Sequence, residues 1–201
     1  KIRLHDLRDH AADRHRKIDD VPFGGGGGMI LLPGPLFAGV ESVKERFPRE
    51  AARTVLLCPQ GTRYDQENAQ RLAGYDRLIL ICGHYEGIDE RVREHLIDES
   101  VSIGDYVLTG GEIPAMVLVD TLTRLVPGVL GDETAARHDT FSQEGFDFPQ
   151  YTRPADFRGL KVPEVLLSGN HEKIAAWRKA RALEATALKR PDLLKARAHD
   201  R

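Results

Sequence analysis

Three apolar runs, each stopped by glycine, do most to limit what this chain can fold into. "RTVLLCPQG", "RLILICG" and "VSIGDYVL" are short and rich in Val, Ile and Leu, and the stretches between them carry apolar residues at helical spacing. Continuous apolar runs of this length read as buried strands, and strands separated by helices imply a parallel sheet. Leu36, Val40, Val43 and Phe47 line one side of a predicted helix ahead of the first run. After it, Asp65 is a cap for the helix "QENAQRLAGY", which Gly74 ends. Ile88, Val92 and Leu96 fall four apart in "GIDERVREHLID", and "EIPAMVLVDTLTRLV" reads as a long helix that tolerates Pro114 in its first turn. Strand and helix alternating three times predict an α/β fold.

Lys1 to Pro22 lacks a clear period and reads as a loop with one short helix, followed by the glycine run Gly24 to Gly28. That run is either a flexible loop or a surface that lets a ligand approach the backbone. It is not a phosphate-binding P-loop, because no Gly-Lys-Ser/Thr follows. The pattern breaks up from Pro127 to about Phe148. This divides the chain into a first domain at residues 1–130, a linker at 131–147 and a small all-helical domain at 148–201. In the last part Asn170 caps the helix "HEKIAAWRKARALEATAL", and "RPDLLKARA" reads as a final helix.

Composition excludes several classes of function. Apolar residues make up 41% and charged residues 30% of 201, enough for a packed core. No apolar run approaches the ~18 residues of a membrane span and no signal segment opens the chain, so a cytoplasmic protein is expected. Cys58 and Cys82 are the only cysteines, too few for a disulfide framework or a four-thiolate zinc site. His5, His10 and His15 fall five apart, which spreads them around a helix and does not make a ligand pair. The formal net charge is only −2, but bases crowd the first seventeen residues and the region after Leu160. A polyanion gripped at two places, or simply two solvated faces, fits that distribution.

The three strand ends "CPQG", "CGHYEG" and "IGDYVLTGG" share a design. In open parallel sheets ligands bind beyond the carboxyl ends of the strands, where loops converge and backbone donors and acceptors are left over. The G-x-G-x-x-G pattern of a dinucleotide site is absent. Leu57, Ile103, Tyr106 and Leu108 supply apolar walls suited to a flat ligand.

"CGHYEGIDERV", "SIGDYVLTGGEIPAM", "PGVLG", "YTRP", "VPEVLLSGNH" and "RPDLL", in this order and spacing, resemble the bacterial tRNA (guanine-N1)-methyltransferases of the TrmD family, over nearly the whole chain. The resemblance implies a SPOUT-type α/β domain whose parallel sheet ends in a deep trefoil knot, a linker and a helical tRNA-binding domain. It implies an obligate homodimer with active sites at the interface, and methyl transfer from S-adenosylmethionine to N1 of the guanine immediately 3′ of the anticodon in tRNA. Family members begin with a further strand and helix and end in an extra tail, so the resemblance implies that this chain is part of a longer one.

Carried over by position, the donor contacts are Leu57, Pro59, Gly61, Gly83, Tyr85, Glu86, Gly87, Ile103, Gly104, Asp105, Tyr106, Val107, Leu108, Gly110, Gly111 and Pro114. Ring nitrogen 1 of guanine bears a proton at neutral pH, so the reaction needs a general base and a group that stabilises negative charge on the guanine oxygen. The family's residues for these roles match Asp139 and Arg124, and Arg suits the second as a permanent planar cation. Glu86 is an acid favoured at a helix N-terminus, a partner for the cationic sulfur, or the place where the family's Mg2+ acts. The tRNA contacts are expected at Arg14, His15, Arg16, the glycine run, Arg153, Arg178, Lys179 and Arg181, with Trp177 in a core position. Two other readings stay open: a knotted methyltransferase acting on ribose or ribosomal RNA, and an RNA-binding protein without turnover.

Overall fold

The computed structural model describes residues 1–48, 51–131, 140–141 and 145–195 and divides into two compact units, Lys1–Val129 and Leu130–Arg201. The first unit is built on a three-stranded parallel sheet of β3 (Ala52–Arg63), β4 (Arg77–Cys82) and β5 (Glu99–Ser102), in the order β4-β3-β5. The longest strand is central, and its Val55, Leu56 and Leu57 are all buried. Alternation sends them to opposite faces. Leu56 joins Leu31, Leu36, Val40, Ile81 and Val92 on one side, and Val55 and Leu57 join Leu72, Val101 and Leu118 on the other.

Helices cover both faces. These are α1 (Pro33–Arg46), α2 (Gln66–Leu72), α3 (Glu90–His95) and α4 (Glu112–Thr123). The caps are those the sequence predicts or of the same type. Asp65 Oδ1 accepts from the Asn68 amide at 2.9 Å, and Asp89 Oδ1 accepts from the Arg91 amide at 3.0 Å. Ahead of the sheet, a 3-10 turn at Leu7–His10 is followed by an antiparallel pair, β1 (Asp19–Asp20) and β2 (Ile30–Leu31), joined by a loop that carries the glycine run.

Several boundaries differ from the sequence reading: α2 stops at Leu72, short of Tyr75, and α3 spans only Glu90–His95 of "GIDERVREHLID". The third strand stops at Ser102, not Leu108, because the buried Ser102 turns the chain: its hydroxyl donates to the Gly104 carbonyl at 3.0 Å. Helix α4 ends at Thr123, three residues before Val126. Strand β3 does not stop at its Pro59-Gly61 turn. Leu57 and Thr62 both pair with Val101, so the residues between them bulge out of the ladder before pairing resumes.

Among the described residues of the second unit the helices are α5 (Glu164–Leu167), α6 (His171–Lys189) and α7 (Asp192–Lys195). Asn170 Oδ1 caps α6 by accepting from the Lys173 amide at 3.0 Å. The unit is not all-helical: β6 (Asp156–Phe157) and β7 (Leu160–Lys161) form a small antiparallel hairpin. Gly159 turns it with positive φ, and its amide donates to Asp156 Oδ1 at 2.9 Å. Thr186, fully buried, accepts from the Phe146 amide and donates to the Ala182 carbonyl, both at 2.8 Å. Trp177 is half-buried, with its ring 6.4 Å from that of Tyr151.

Candidate functional site

Parallel strands point their carboxyl ends the same way, so the loops after β3, β4 and β5 converge. They enclose a cavity of about 320 Å³. Of the predicted donor contacts, Leu57, Pro59, Gly83, Tyr85, Glu86, Gly87, Ile103, Gly104, Tyr106, Val107, Leu108, Gly110, Gly111 and Pro114 all line it. Gly61 and Asp105 do not. Gly61 lies in the bulge of β3, pressed on β5, and Asp105 is an exposed loop residue outside the wall.

Hydrogen bonds between the loops hold the wall together. The Gly111 amide donates to the Gly83 carbonyl at 2.9 Å, and His84 and Gly110 form an antiparallel bridge. The loop after β4 is also tied to the segment that follows the glycine run. The Glu86 amide donates to the Met29 carbonyl at 3.1 Å and the Leu31 amide to the Gly87 carbonyl at 3.0 Å. Gly104 is in the left-handed half of backbone space at φ +156, and the Tyr106 ring folds back over it, its Cε1 2.4 Å from where a Cβ would stand. The Tyr106 hydroxyl then donates to the Ile103 carbonyl at 3.3 Å. A residue that looks like the middle of a core strand is therefore a half-exposed aromatic at the edge of a cavity.

Sequence reasoning missed Leu56, Cys58, Gln60, His84, Ile88, Arg93, Val101, Ser102 and Thr109, which also line the cavity. Proximity to the strand ends was a usable signal for most of them. Arg93 had none, since it comes from the last turn of a helix. Glu86 is the one carboxylic acid in the lining, and Arg93 is its one arginine or lysine. Cys82, just below the loops, is held protonated: burial, reinforced by the Glu112 carboxylate, pushes its thiol up to about 11.

The remaining predicted residues lie elsewhere. Arg124 is the exposed C-cap of α4, and Asp139 falls outside the described residues. Arg14, His15 and Arg16 are exposed in the first unit, where the Arg14 Nε donates to His15 Nε2 at 3.1 Å and the Arg16 guanidinium pairs with Asp9. In the second unit Arg153, Arg178, Lys179 and Arg181 are exposed. Arg178 stands 4.5 Å over the Phe148 ring, and Arg181 pairs with Glu184 at 2.5 Å. Among the described residues no group of three or more His, Cys, Asp or Glu side chains is gathered as a metal ion requires, and no helix is long and apolar enough to cross a membrane.

Residues 1–196 match the family described as tRNA (Guanine-1)-methyltransferase TrmD. The chain belongs to that family. It is similar to proteins named tRNA (guanine-N(1)-)-methyltransferase from several bacteria. The one from Geobacillus kaustophilus is 56% identical over 193 residues, covering 96% of this chain and 78% of that protein. The one from Geobacter sulfurreducens is 54% identical over the same shares, and the one from Halalkalibacterium halodurans is 53% identical over 98% and 79%. Family membership makes the glycine-lined cavity the place to look for a methyl donor, since its loops carry the motifs "CGHYEGIDERV" and "SIGDYVLTGGEIPAM".

Proposed function

We propose that the chain is an S-adenosylmethionine-dependent tRNA methyltransferase that modifies N1 of the guanine immediately 3′ of the anticodon. The observation that carries this reading is the convergence of three strand-end loops on one cavity with apolar walls and backbone edges. Leu57, Ile103, Tyr106 and Leu108 suit the faces of an adenine, and loop carbonyls and amides suit its edge. When bound, the donor supplies an electrophilic methyl group on a cationic sulfur. Glu86 is the one carboxylate in the lining and is the side chain suited to that positive charge.

In this reading Asp139 would take the proton from guanine N1 as the nitrogen lone pair bonds to the methyl carbon and the carbon–sulfur bond breaks, its electron pair staying on sulfur as the neutral thioether leaves. Arg124 holds the negative charge that builds on the guanine oxygen. Glu86 is also the proposed contact for Mg2+. Among the described residues no group of three or more His, Cys, Asp or Glu side chains gathers around it, and no step is routed through the cation. Arg14, His15, Arg16, Arg153, Arg178, Lys179 and Arg181 are proposed to meet phosphates of the tRNA. A cytoplasmic location follows from that substrate.

The proposal includes the knot and the homodimer of the family. For the second, Ile113, Met116 and Val117 form an exposed apolar strip on α4, at 57%, 70% and 36% exposure, while Leu118 on its other side is fully buried. A strip of this kind at one end of the cavity suits burial against a second copy of the chain. The test of the activity is incubation of a tRNA transcript with labelled donor, then nuclease digestion and mass spectrometry. N1-methylguanosine at the predicted nucleotide is the expected product; ribose methylation, or tRNA binding without product, sinks the reading.

A further inference from the structure

Arg93 is the one permanent cation in the cavity lining, and its guanidinium is unevenly matched. On one edge Nε donates to Glu90 Oε2 at 3.2 Å, and Glu90 is 66% exposed. On the other edge Nη1 and Nη2 both lie 3.7 Å from Cys58 Sγ, and Nη1 lies 3.4 Å from Ser100 Oγ. A thiol and a hydroxyl are neutral, weak acceptors at these distances, whereas the paired Nη groups of an arginine match the two oxygens of a carboxylate. The side chain is only 25% exposed, so water does little of the matching in their place.

We propose that Arg93 binds the amino-acid carboxylate of the methyl donor, as a donor-binding residue additional to the glycine loops. This rests on the reading of the cavity as the donor site. Apart from its sulfonium, the donor's charges are those of its amino-acid tail, one carboxylate and one ammonium. Arg93 is the one arginine or lysine of the lining and Glu86 its one carboxylic acid, so the lining holds a side chain of each type that such a ligand calls for. The cation comes from α3 and the acid from the loop after β4, and a guanidinium backed by Glu90 keeps its Nη edge for an incoming anion. A backbone phosphate of the RNA is the other anion of the reaction, and it is a competing outcome of the test.

The experiment is calorimetric titration of the full chain with S-adenosylhomocysteine and with 5′-methylthioadenosine in the absence of RNA, and separately with a tRNA transcript in the absence of either. The second ligand keeps adenine, ribose and sulfur but has no carboxylate. Arg93→Gln is expected to weaken S-adenosylhomocysteine roughly 10- to 100-fold, the size of a charge-assisted hydrogen bond, and to leave methylthioadenosine within about twofold. Arg93→Lys restores part of the loss. The wild-type chain provides a measure independent of variant folding: the methyl ester of S-adenosylhomocysteine binds it more weakly than the acid, by a similar factor. An ester that binds as tightly as the acid, equal losses for both ligands in Arg93→Gln, or a loss confined to tRNA binding overturns the proposal while leaving the donor site standing. A wild-type chain that binds neither ligand overturns the donor-site reading, and this inference with it.

Discussion

Gly61 lies directly against the backbone of Val101. A Cβ built on Gly61 would stand 2.4 Å from the Val101 amide nitrogen and 2.6 Å from the Ser100 carbonyl oxygen. Neither neighbour is the end of a flexible side chain, so the two strands would have to part. Gly61, expected from the sequence as a donor contact, is instead packed on the backbone of β5 and does not line the cavity.

Gly61→Ala is expected to destabilise the chain by about 1–3 kcal/mol, the usual cost of forcing volume into a packed site, and to weaken S-adenosylhomocysteine. Gly83→Ala is the control, because the nearest atom to its Cβ, the Leu57 carbonyl oxygen, is 3.9 Å away. Thermal unfolding of the two variants checks the contrast. Equal shifts would show that contact with β5 is not what requires glycine.

Gly28 makes a comparable contact with Glu86, whose Cγ lies 2.4 Å from the position of a Gly28 Cβ, at a φ of +81 that disfavours any side chain. Gly28→Ala should cost stability through both effects. In a Glu86→Ala background the contact is gone and only the backbone strain, on the order of 1–3 kcal/mol, remains. A double-mutant cycle in urea measures the difference. A coupling indistinguishable from zero would mean that Glu86 moves aside freely.

Glu99 supplies a pH dependence. Its carboxylate takes hydrogen bonds from Arg71 Nη1 at 3.0 Å and from Arg53 Nε at 3.0 Å, and these guanidinium groups, Arg71 foremost, hold it below its ordinary value of 4.5. A depressed carboxylate contributes stability that is present above the unfolded value and lost as pH falls through the folded one. Unfolding midpoints measured from pH 7 down to pH 3 should fall more steeply for the wild type than for Glu99→Gln below about pH 4.5. Parallel curves would remove Glu99 as a source of acid sensitivity.

Asp139→Asn is expected to leave S-adenosylhomocysteine affinity within about twofold while single-turnover methylation falls on the order of 100-fold or more, the range for loss of a general base. Calorimetry and a quenched-flow assay on the same preparation separate the two. Donor affinity falling in step with the rate would move Asp139 from base to donor contact.

The chain pattern alone determined the alternation of strands and helices in the first unit, the parallel sense of the sheet, the Asp65 and Asn170 caps and the strand ends at which the cavity opens. Those follow from local causes: the apolar run of β3, the Asp65 and Asn170 caps, and the glycines after each strand act over a few residues. The motifs also determined the family. Tertiary structure alone decided what depends on distant neighbours. It ended β5 at Ser102, whose hydroxyl turns the chain at Gly104, so that Tyr106, an expected wall residue, stands on a loop and not within a strand. It carried β3 past its bulge, because Tyr64, the residue just beyond it, still finds the Ser102 carbonyl at 2.8 Å. It also brought Arg93 from a helix that looks solvated in sequence to the side of Cys58, thirty-five residues away along the chain. Periodicity records which side of an element is buried, but not which loop, or which ligand, lies against it.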